Sequence, residues 1–292
     1  MSGRTTVVTG ASSGIGAATA RELARAGARV VLAVRDTQKG ELVAATIPDH
    51  TEVRSLDLAD LASVRTFAAA WTGELHVLVN NAGTMMAPEG RTVDGFELHI
   101  GTNHLGPFAL TNLLLPHITG RIVTVSSQLH RSGRIRMDDL NWNQRRFNAS
   151  QAYGDSKLAN LLFTLELQRR LTNNGSGVRA IAAHPGVART NLFRHAGGLS
   201  GVLSNFILVF FNDVEHGSLP TLYAATQDVP GGSYVGPNGF GHLRGFPEIG
   251  TPSEAAMDAE VARDLWEVSA RLTNTGSTPV ADGPHQLPRP SG

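Results

Sequence analysis

The sequence predicts an α/β fold of one domain, in which a doubly wound parallel sheet of about seven strands carries helices on both faces. Short apolar or β-branched runs alternate with longer amphipathic stretches along most of the 292 residues, which is the pattern of βαβ units. No linker rich in proline, glycine or serine divides residues 1–272, so a single domain is expected.

Seven segments have the apolar composition of strands that are covered on both faces. They are Thr5–Thr9, Arg29–Val34, Glu52–Leu56, Val77–Asn80, Arg121–Ser126, Arg179–Ala183 and, with a weaker pattern, Ser233–Val235. Helical periodicity fills the intervals between the strands. The predicted helices are Gly14–Ala26, Asp60–Trp71, a stretch around Phe96–Leu115, Tyr153–Thr172 and Val214–Thr226.

Three segments interrupt this alternation. Residues 131–150 hold five arginines beside Asp138 and Asp139, and we interpret them as a solvated loop. Residues 191–212 are unusually apolar for a connection. Residues 273–292 contain four prolines, which predicts a disordered tail after a folded domain of residues 1–272.

The composition excludes several classes of function. Lys and Arg balance Asp and Glu at 25 each, so no field of one sign would attract nucleic acid. The absence of cysteine excludes disulfides, thiolate metal sites and a cysteine nucleophile. The eleven histidines show neither HxH nor HExxH spacing, so no metal site is expected.

No segment has the composition of an export signal or of a membrane span. Residues 1–8 lack a basic region followed by an apolar one. The most apolar run, Val202–Phe211, is about 10 residues long, whereas a spanning helix needs roughly 20. We therefore expect a cytoplasmic protein.

The first predicted strand leads into a glycine-rich turn. Residues 9–16 read TGASSGIG, after the strand TTVVT and before an amphipathic helix. Gly10, Gly14 and Gly16 would let the chain turn tightly and let amides at the helix N-terminus face a pyrophosphate. In the first βα unit of an α/β protein, this motif predicts a Rossmann fold that binds a dinucleotide.

The end of the second strand, which reads AVRD, distinguishes between two dinucleotides. An acid at this place pairs with a free ribose 2′-hydroxyl, whereas an arginine accommodates a 2′-phosphate. Arg35 favours NADP(H) through charge-assisted contacts, and Asp36 beside it keeps NAD(H) as the alternative.

Tyr153 and Lys157 stand four residues apart in AYGDSKLANLLF, so on a helix both project from one face. A nearby ammonium lowers the pKa of a phenol, because an opposite charge favours the ionised form. Such a tyrosine can exchange a proton with an alcohol or carbonyl oxygen. The pair therefore predicts acid/base chemistry.

These residues together resemble the short-chain dehydrogenase/reductase family, and the resemblance extends to about Gly245. TGASSGIG resembles the family's cofactor loop, LDL at Leu56–Leu58 its adenine-binding aspartate, and NNAG at Asn80–Gly83 the turn that stabilises the central sheet. TNHLG, VTVSS and the Tyr-Lys pair resemble the catalytic tetrad. HPGVART at His184–Thr190 resembles the segment that contacts the nicotinamide carboxamide.

The resemblance implies a role for each matched residue. Tyr153 would be the acid and base, and Lys157 would lower its pKa and hold a ribose hydroxyl. Ser127 would bind the substrate oxygen, and Asn103 would anchor a water in the proton path. Ser126 is the alternative to Ser127, since alternation along a strand turns only one of them toward the site. The implied cofactor-binding residues are Gly10, Ser12, Ser13, Gly14, Ile15, Gly16, Arg35, Asp57, Leu58, Asn81, Ala82, Gly83, Tyr153, Lys157, Pro185, Gly186, Val187 and Thr190.

Longer matches in NHLGPFALT, VTVSSQLHRSGRI and AYGDSKLANLLF resemble the retinol-dehydrogenase-like and WW-domain-containing-oxidoreductase-like branch. That branch has a long interval between the serine and the tyrosine, and here Tyr153 follows Ser127 by 26 residues. No N-terminal anchor like that of membrane-bound retinol dehydrogenases is expected, so a retinoid substrate is not implied.

The resemblance implies an NADP(H)-dependent oxidoreductase that interconverts an alcohol with a ketone or aldehyde on an apolar small molecule by hydride transfer. By family position, residues 191–212 would form a lid over the substrate, with a buried core helix as the alternative. Two other functions stay open: a non-catalytic NAD(P)-binding sensor or scaffold, and an NAD-dependent epimerase or dehydratase. A homo-oligomer also stays open. His99 and His104, which flank Asn103, are expected to be packing or surface residues.

Overall fold

The computed structural model describes residues 1–47, 51–186, 214–239, 241 and 243–276. Within them the chain forms an eight-stranded sheet with helices on both faces, in the order β3-β2-β1-β4-β5-β6-β7-β8. The strands are β1 (Thr5–Thr9), β2 (Arg29–Val34), β3 (Thr51–Ser55), β4 (Leu75–Asn80), β5 (Ile118–Val125), β6 (Arg179–Ala183), β7 (Tyr234–Pro237) and β8 (Pro247–Gly250). Neighbouring strands are parallel except β7 and β8. The predicted doubly wound Rossmann fold is confirmed.

The sheet has one strand more than the seven predicted. β8 lies at the edge of the sheet and pairs Gly250 with Tyr234 of β7 in an antiparallel ladder. Its residues, PEIG, are partly buried or exposed. An edge strand needs little apolar surface, so its composition carried no strand signal.

The helices are α1 (Gly14–Arg25), α2 (Thr37–Ala44), α3 (Leu61–Ala69), α4 (Leu98–Ile100), α5 (Gly106–Leu114), α6 (Ala149–Asn173), α7 (Val214–Thr226) and α8 (Ala259–Thr273). The helix expected around Phe96–Leu115 is divided, because a π-helical turn at Gly101–Leu105 separates α4 from α5. α2 and α8 were not predicted. The sequence does carry a signal for α8, since Asp258 caps its first amides and its buried residues recur at helical spacing.

Alternation along the strands divides the core into two layers. Val7 packs with α3 and α5 on one face of the sheet, and Val8 packs with α1 and α7 on the other. Leu78 and Val79 of β4 divide in the same way. The strand order reverses between β1 and β4, and sheets of this type bind ligands outside the carboxyl ends of the strands at that point.

Most of residues 131–150 form the predicted loop, in which four of the five arginines are exposed and Arg145 is not. The guanidinium of Arg145 lies 3.6 Å from the ring centroid of Trp142, which is buried. The same guanidinium lies 3.3 Å from a carboxylate oxygen of Asp139 and 3.2 Å from one of Asp155 in α6. Arg145 therefore pairs inside the protein with Asp139 and Asp155, and these contacts fasten the segment to α6.

Part of the predicted tail belongs to the folded domain. Thr273 ends α8 and is buried, and Asn274 follows it in a left-handed conformation with φ 51°. The carbonyl oxygen of Gly276 accepts a hydrogen bond from an indole of α8 at 3.3 Å. The predicted boundary at residue 272 is thus too early. Residues 277–292 and the predicted lid at 191–212 lie outside the described residues.

Candidate active site

The loop after β1 has glycines at positions where a larger residue would be strained or would clash with its neighbours. Gly10 and Gly14 have positive φ angles of 67° and 56°. A Cβ on Gly16 would stand 2.5 Å from the carbonyl oxygen of Gly10 and 2.5 Å from the side-chain nitrogen of Asn81. The start of α1 thus lies so close to the ends of β1 and β4 that no Cβ fits between them.

The first turn of α1 leaves its amides available for an anion. Ser13 precedes the helix in an extended conformation, but its side chain caps no amide, and the first turn contains no acidic residue. Ser12 and Ile15, which precede and follow Ser13 and Gly14 in the chain, are partly buried. Uncapped amides at the positive end of a helix dipole fit a pyrophosphate.

One acid and two cations lie at the end of β2. Asp36 caps α2 by accepting from the amide of Lys39 at 3.1 Å, and its other carboxylate oxygen lies 2.9 Å from Lys39 Nζ. The side-chain hydrogen bond from Lys39 holds the pKa of Asp36 below its usual value. Arg35 is exposed and makes no ion pair with any described residue. The acid is therefore engaged in the cap, and Arg35 is available to a ligand.

Asp57 and Leu58 follow β3 at the same edge of the sheet. One carboxylate oxygen of Asp57 accepts from the amide of Ala59 at 2.9 Å, and the amide of Asp57 donates to Ser63 Oγ at 2.9 Å. Leu58 is buried, and its carbonyl oxygen would stand 2.3 Å from a Cβ on Gly106. These contacts fix the turn that carries Asp57.

Thr9 joins the ends of β1 and β4. Its hydroxyl accepts from the amides of Asn81 and Ala82 at 3.0 and 2.9 Å. Its carbonyl oxygen accepts from the side chain of Asn81 at 2.8 Å. The predicted turn at NNAG is thereby held against the glycine loop, through a threonine that the sequence reasoning did not single out.

Asn103 lies in the π-helical turn, and its amide group has three partners. Nδ2 donates to the carbonyl oxygen of Thr84 and to Ser156 Oγ, both at 2.9 Å, and Oδ1 accepts from the amide of Thr84 at 2.7 Å. A Cβ on Gly83 would lie 3.0 Å from Asn103 Oδ1 and 3.4 Å from Lys157 Nζ. Such turns often mark functional sites, and this one brings Asn103 against the end of the NNAG turn.

The two serines after β5 have different partners. Ser126 is buried, and its Oγ donates to the carbonyl oxygen of Lys157 at 2.8 Å. The hydroxyl of Ser127 accepts from the amide of Leu129 at 3.3 Å and lies near enough to the phenol of Tyr153 to lower its pKa. The structure therefore places Ser127, rather than Ser126, beside the phenol.

Tyr153 and Lys157 are both buried in α6. Lys157 Nζ lies 5.7 Å from the ring centroid of Tyr153 and donates to the carbonyl oxygen of Val125 at 3.0 Å. Burial raises the pKa of Tyr153 to about 12, although the Ser127 hydrogen bond opposes this, and burial lowers the pKa of Lys157 to about 8. The net shift of the Tyr153 pKa is therefore upward, opposite to the direction that the Tyr153–Lys157 spacing predicted, because exclusion of water dominates.

Pro185 and Gly186 follow β6 at the carboxyl edge of the sheet. Gly186 has φ 70°, and its amide donates to Nδ1 of His184 at 3.2 Å. This turn starts the segment that the resemblance assigns to the nicotinamide. Val187 and Thr190 lie outside the described residues.

Ser156 is a residue of the site that the sequence reasoning missed. It is fully buried, accepts from Asn103 Nδ2 and donates to the carbonyl oxygen of Tyr153 at 2.8 Å. It therefore joins the π-helical turn to α6. Its spacing was a signal, since a serine three residues after Tyr153 on a helix can reach that carbonyl.

The profile of the short chain dehydrogenase family matches residues 4–197. The chain belongs to this family. It is 43% identical to retinol dehydrogenase 13 of Homo sapiens over 98% of this chain and 89% of that protein. It is 48% identical to retinol dehydrogenase 12 of Bos taurus over 92% and 86% of the two chains. A crystal structure of an uncharacterized protein from Mycobacterium Paratuberculosis shares 53% identity and a TM-score of 0.82, with 94% of each chain covered.

The predicted family and its retinol-dehydrogenase-like branch are thus confirmed. As a short-chain dehydrogenase, the chain is an oxidoreductase that acts on CH–OH groups with a nicotinamide dinucleotide. None of the helices in the described ranges is both long and apolar enough to cross a membrane. Within the same ranges, no three His, Asp or Glu side chains form a group that could hold a metal ion.

Proposed function

We propose that this short-chain dehydrogenase uses NADP(H) to interconvert an apolar alcohol with its aldehyde or ketone. The observation that carries the proposal is the placement of four side chains: Asn103 and Lys157 lie against Gly83, Lys157 Nζ lies 5.7 Å from the ring centroid of Tyr153, and Ser127 lies near the phenol. These side chains come from the π-helical turn, the end of β5 and α6, so three separate segments supply the groups that proton transfer needs.

In the direction of reduction, Tyr153 acts as the acid. Because its pKa is about 12, the phenol is protonated at neutral pH and can give its proton to the substrate oxygen. The hydroxyl of Ser127, which lies near the phenol, orients the same oxygen. NADPH, when bound, supplies the hydride for the carbonyl carbon. The carbonyl thus gains a hydride at carbon and the Tyr153 proton at oxygen.

Lys157 stabilises the phenolate that proton transfer leaves on Tyr153. Its ammonium is buried near the ring, where the low dielectric strengthens attraction between opposite charges. A positive charge already fixed where negative charge develops lowers the free energy of the transition state. In the direction of oxidation, the same ammonium favours the phenolate that accepts the proton of the alcohol.

The cofactor half of the site, which comprises the glycine loop after β1 and the end of β2, has residues that fit NADP(H). The glycine loop and the uncapped amides of α1 suit the pyrophosphate. Arg35 is exposed at the end of β2 and Lys39 pairs with Asp36 in α2, so both cations are candidates to bind a ribose 2′-phosphate. Asp36, whose carboxylate caps α2, is occupied and competes poorly for a ribose hydroxyl. These contacts favour NADP(H) over NAD(H).

Two observations support an apolar substrate. The relatives are named for retinol, which is a long apolar alcohol. In this chain, two apolar side chains near the site are not fully buried. Met86 is 44 % exposed in the loop after Gly83, and Phe147, just before α6, is partly buried. Location in the cytoplasm and self-association stay predictions.

The test follows loss of NADPH absorbance with a panel of apolar carbonyls that includes retinaldehyde, long-chain aliphatic aldehydes and ketones. We expect turnover of at least one apolar carbonyl, and a loss of at least about a hundredfold in kcat for Tyr153→Phe. The dissociation constant for NADPH should stay unchanged in that variant. Equal turnover by the wild type and Tyr153→Phe would contradict the assigned acid, and failure to bind NADPH would contradict the assigned cofactor.

A further inference from the structure

A buried carboxylate and imidazole lie behind Tyr153, and the mechanism above does not use them. Glu97 is 1 % exposed and His99 is fully buried. Oε1 of Glu97 accepts from Nδ1 of His99 at 2.6 Å and from the His99 amide at 2.9 Å. Oε2 accepts from the amide of Ile100 at 2.8 Å. The carboxylate therefore caps α4 and orients the imidazole at once.

The proton of the His99 ring has a fixed place. The amide of Ala87, which can only donate, points to Nε2 of His99 at 3.1 Å. Nε2 is therefore the acceptor, and Nδ1 carries the proton that Glu97 accepts. A neutral histidine in one tautomer thus connects a buried carboxylate to the loop that follows β4.

The ring of His99 also packs near α6, which carries Tyr153, and near the segment before α6. Its centroid lies 6.3 Å from that of Tyr153, with the two planes at 72°, and 6.2 Å from that of Phe147, with the planes at 25°. Phe147 belongs to residues 131–150, which the ion cluster at Arg145 fastens to α6. Three segments that border the reacting groups therefore converge on one imidazole.

The loop that contains Ala87 needs such an anchor. Met86, directly before it, has φ 49°, a conformation that residues other than glycine adopt only when neighbouring contacts hold them. The loop is held at its start by Asn103, which bonds both backbone groups of Thr84. The hydrogen bond from Ala87 to His99 holds it three residues later.

We propose that His99 is a positioning residue of the enzyme. Its ring sets the orientation of the Tyr153 phenol, and its Nε2 sets the Thr84–Gly90 loop against the substrate. Glu97 acts through His99 by fixing the tautomer. The proposal rests on the proposed function, in which Tyr153 is the acid. His99, expected from the sequence to be a packing or surface residue, would then influence both turnover and substrate affinity.

Two substitutions separate the two contacts. His99→Gln keeps an acceptor within reach of the Ala87 amide but removes the ring that packs on Tyr153. His99→Phe keeps the ring but removes the acceptor. Because a lost contact of this kind changes a rate or affinity by about tenfold, we expect kcat to fall about tenfold in His99→Gln and KM to rise about tenfold in His99→Phe. The other constant should change by less than about threefold in each variant.

His104→Gln is the matched control. His104 is equally buried in the same helical stretch, but its Nε2 pairs with Ser269 Oγ of α8 at 2.8 Å. This variant is expected to lower the melting temperature without separating kcat from KM. The proposal would be overturned if both His99 variants showed a lower kcat together with a higher KM, and if these changes followed the fall in their melting temperatures. If His99→Phe does not fold, an unchanged kcat in His99→Gln would overturn it as well.

Hydrogen exchange gives a result that does not depend on activity. We expect the Ala87 amide to exchange at least about tenfold faster in His99→Phe than in the wild type, and to stay protected in His99→Gln. Equal exchange in the wild type and His99→Phe would overturn the positioning role. A wild type that reduces no carbonyl while showing the expected exchange pattern would instead count against the proposed function alone.

Discussion

The cofactor half and the catalytic half of the site are built in different ways. The cofactor half is made mainly of backbone, since a Cβ on Gly10 would stand 2.9 Å from Ala82 and one on Gly16 would stand 2.5 Å from the carbonyl oxygen of Gly10. The catalytic half is made of buried side chains, such as Asn103 and Tyr153, that come from distant segments. Backbone approach leaves a local mark in the sequence, whereas convergence of side chains depends on the whole fold. The residues of the first half are therefore readable from a local motif, whereas those of the second were predicted through resemblance to a family, and their contacts are readable only from the structure.

The pair Ser127→Ala and Ser126→Ala gives the largest expected difference. The hydroxyl of Ser127 bonds the phenol, whereas that of Ser126 bonds only the backbone of α6. We expect kcat to fall about a hundredfold in Ser127→Ala and by less than about threefold in Ser126→Ala, since a positioned donor at the reacting oxygen has the larger effect. Steady-state kinetics of both variants measures this, and the reverse ranking would show that the serine roles are exchanged.

Gly16→Ala perturbs the cofactor half alone. Its Cβ would stand 2.5 Å from the carbonyl oxygen of Gly10, so the loop must shift. We expect the dissociation constant for NADPH to rise at least about tenfold, with kcat at saturating NADPH nearly unchanged. Gly177→Ala is the control, because a Cβ there meets nothing within 4 Å. A fall in kcat without a change in NADPH affinity would show that the two halves are not separable.

Arg35→Ser sharpens the assignment of NADP(H). Removing a guanidinium that meets a 2′-phosphate should weaken NADPH binding about tenfold and leave NADH binding unchanged. Isothermal titration with both dinucleotides measures the two affinities in one variant, so NADH serves as the internal control. Equal weakening of both affinities would mean that Arg35 acts on the loop rather than on the phosphate.

The pH dependence of the catalytic half gives the smallest expected effect. Lys157, with its pKa lowered to about 8, loses its charge as the pH rises through that value, while Tyr153, with a pKa of about 12, stays protonated. The charged lysine stabilises the transition state, so kcat for reduction should be level below about pH 7 and fall several-fold between about pH 8 and pH 10. Stopped-flow measurement at saturating NADPH tests this, and a level profile to pH 10 would contradict the role of Lys157.

Much of the fold follows from the sequence because its signals are local. Apolar runs mark the six strands from β1 to β6, and the glycine loop marks the entry to α1. β8 was missed because an edge strand buries little. In residues 131–150, four of the five arginines are exposed as predicted, whereas Arg145 pairs with Asp139 and Asp155 inside the protein, a contact that depends on tertiary packing.

The residues of the site were easier to predict than their electrostatics. The spacing of Tyr153 and Lys157 placed both on one helix face, but a spacing carries no information about exclusion of water. Burial therefore reversed the predicted direction of the Tyr153 pKa shift. His99 gave no signal for a similar reason, because its partners, Ala87 and Phe147, meet it only through tertiary packing.

Transfer of deuterium from NADPH that carries deuterium at both C4 positions of the nicotinamide tests most directly whether the two halves act together. The wild type should give an apolar alcohol that carries one deuterium on the carbinol carbon, as measured by mass spectrometry, and Tyr153→Phe should give at most about one hundredth of that rate. Alcohol without deuterium, or labelled alcohol formed equally fast by Tyr153→Phe, would contradict hydride transfer with Tyr153 as the acid.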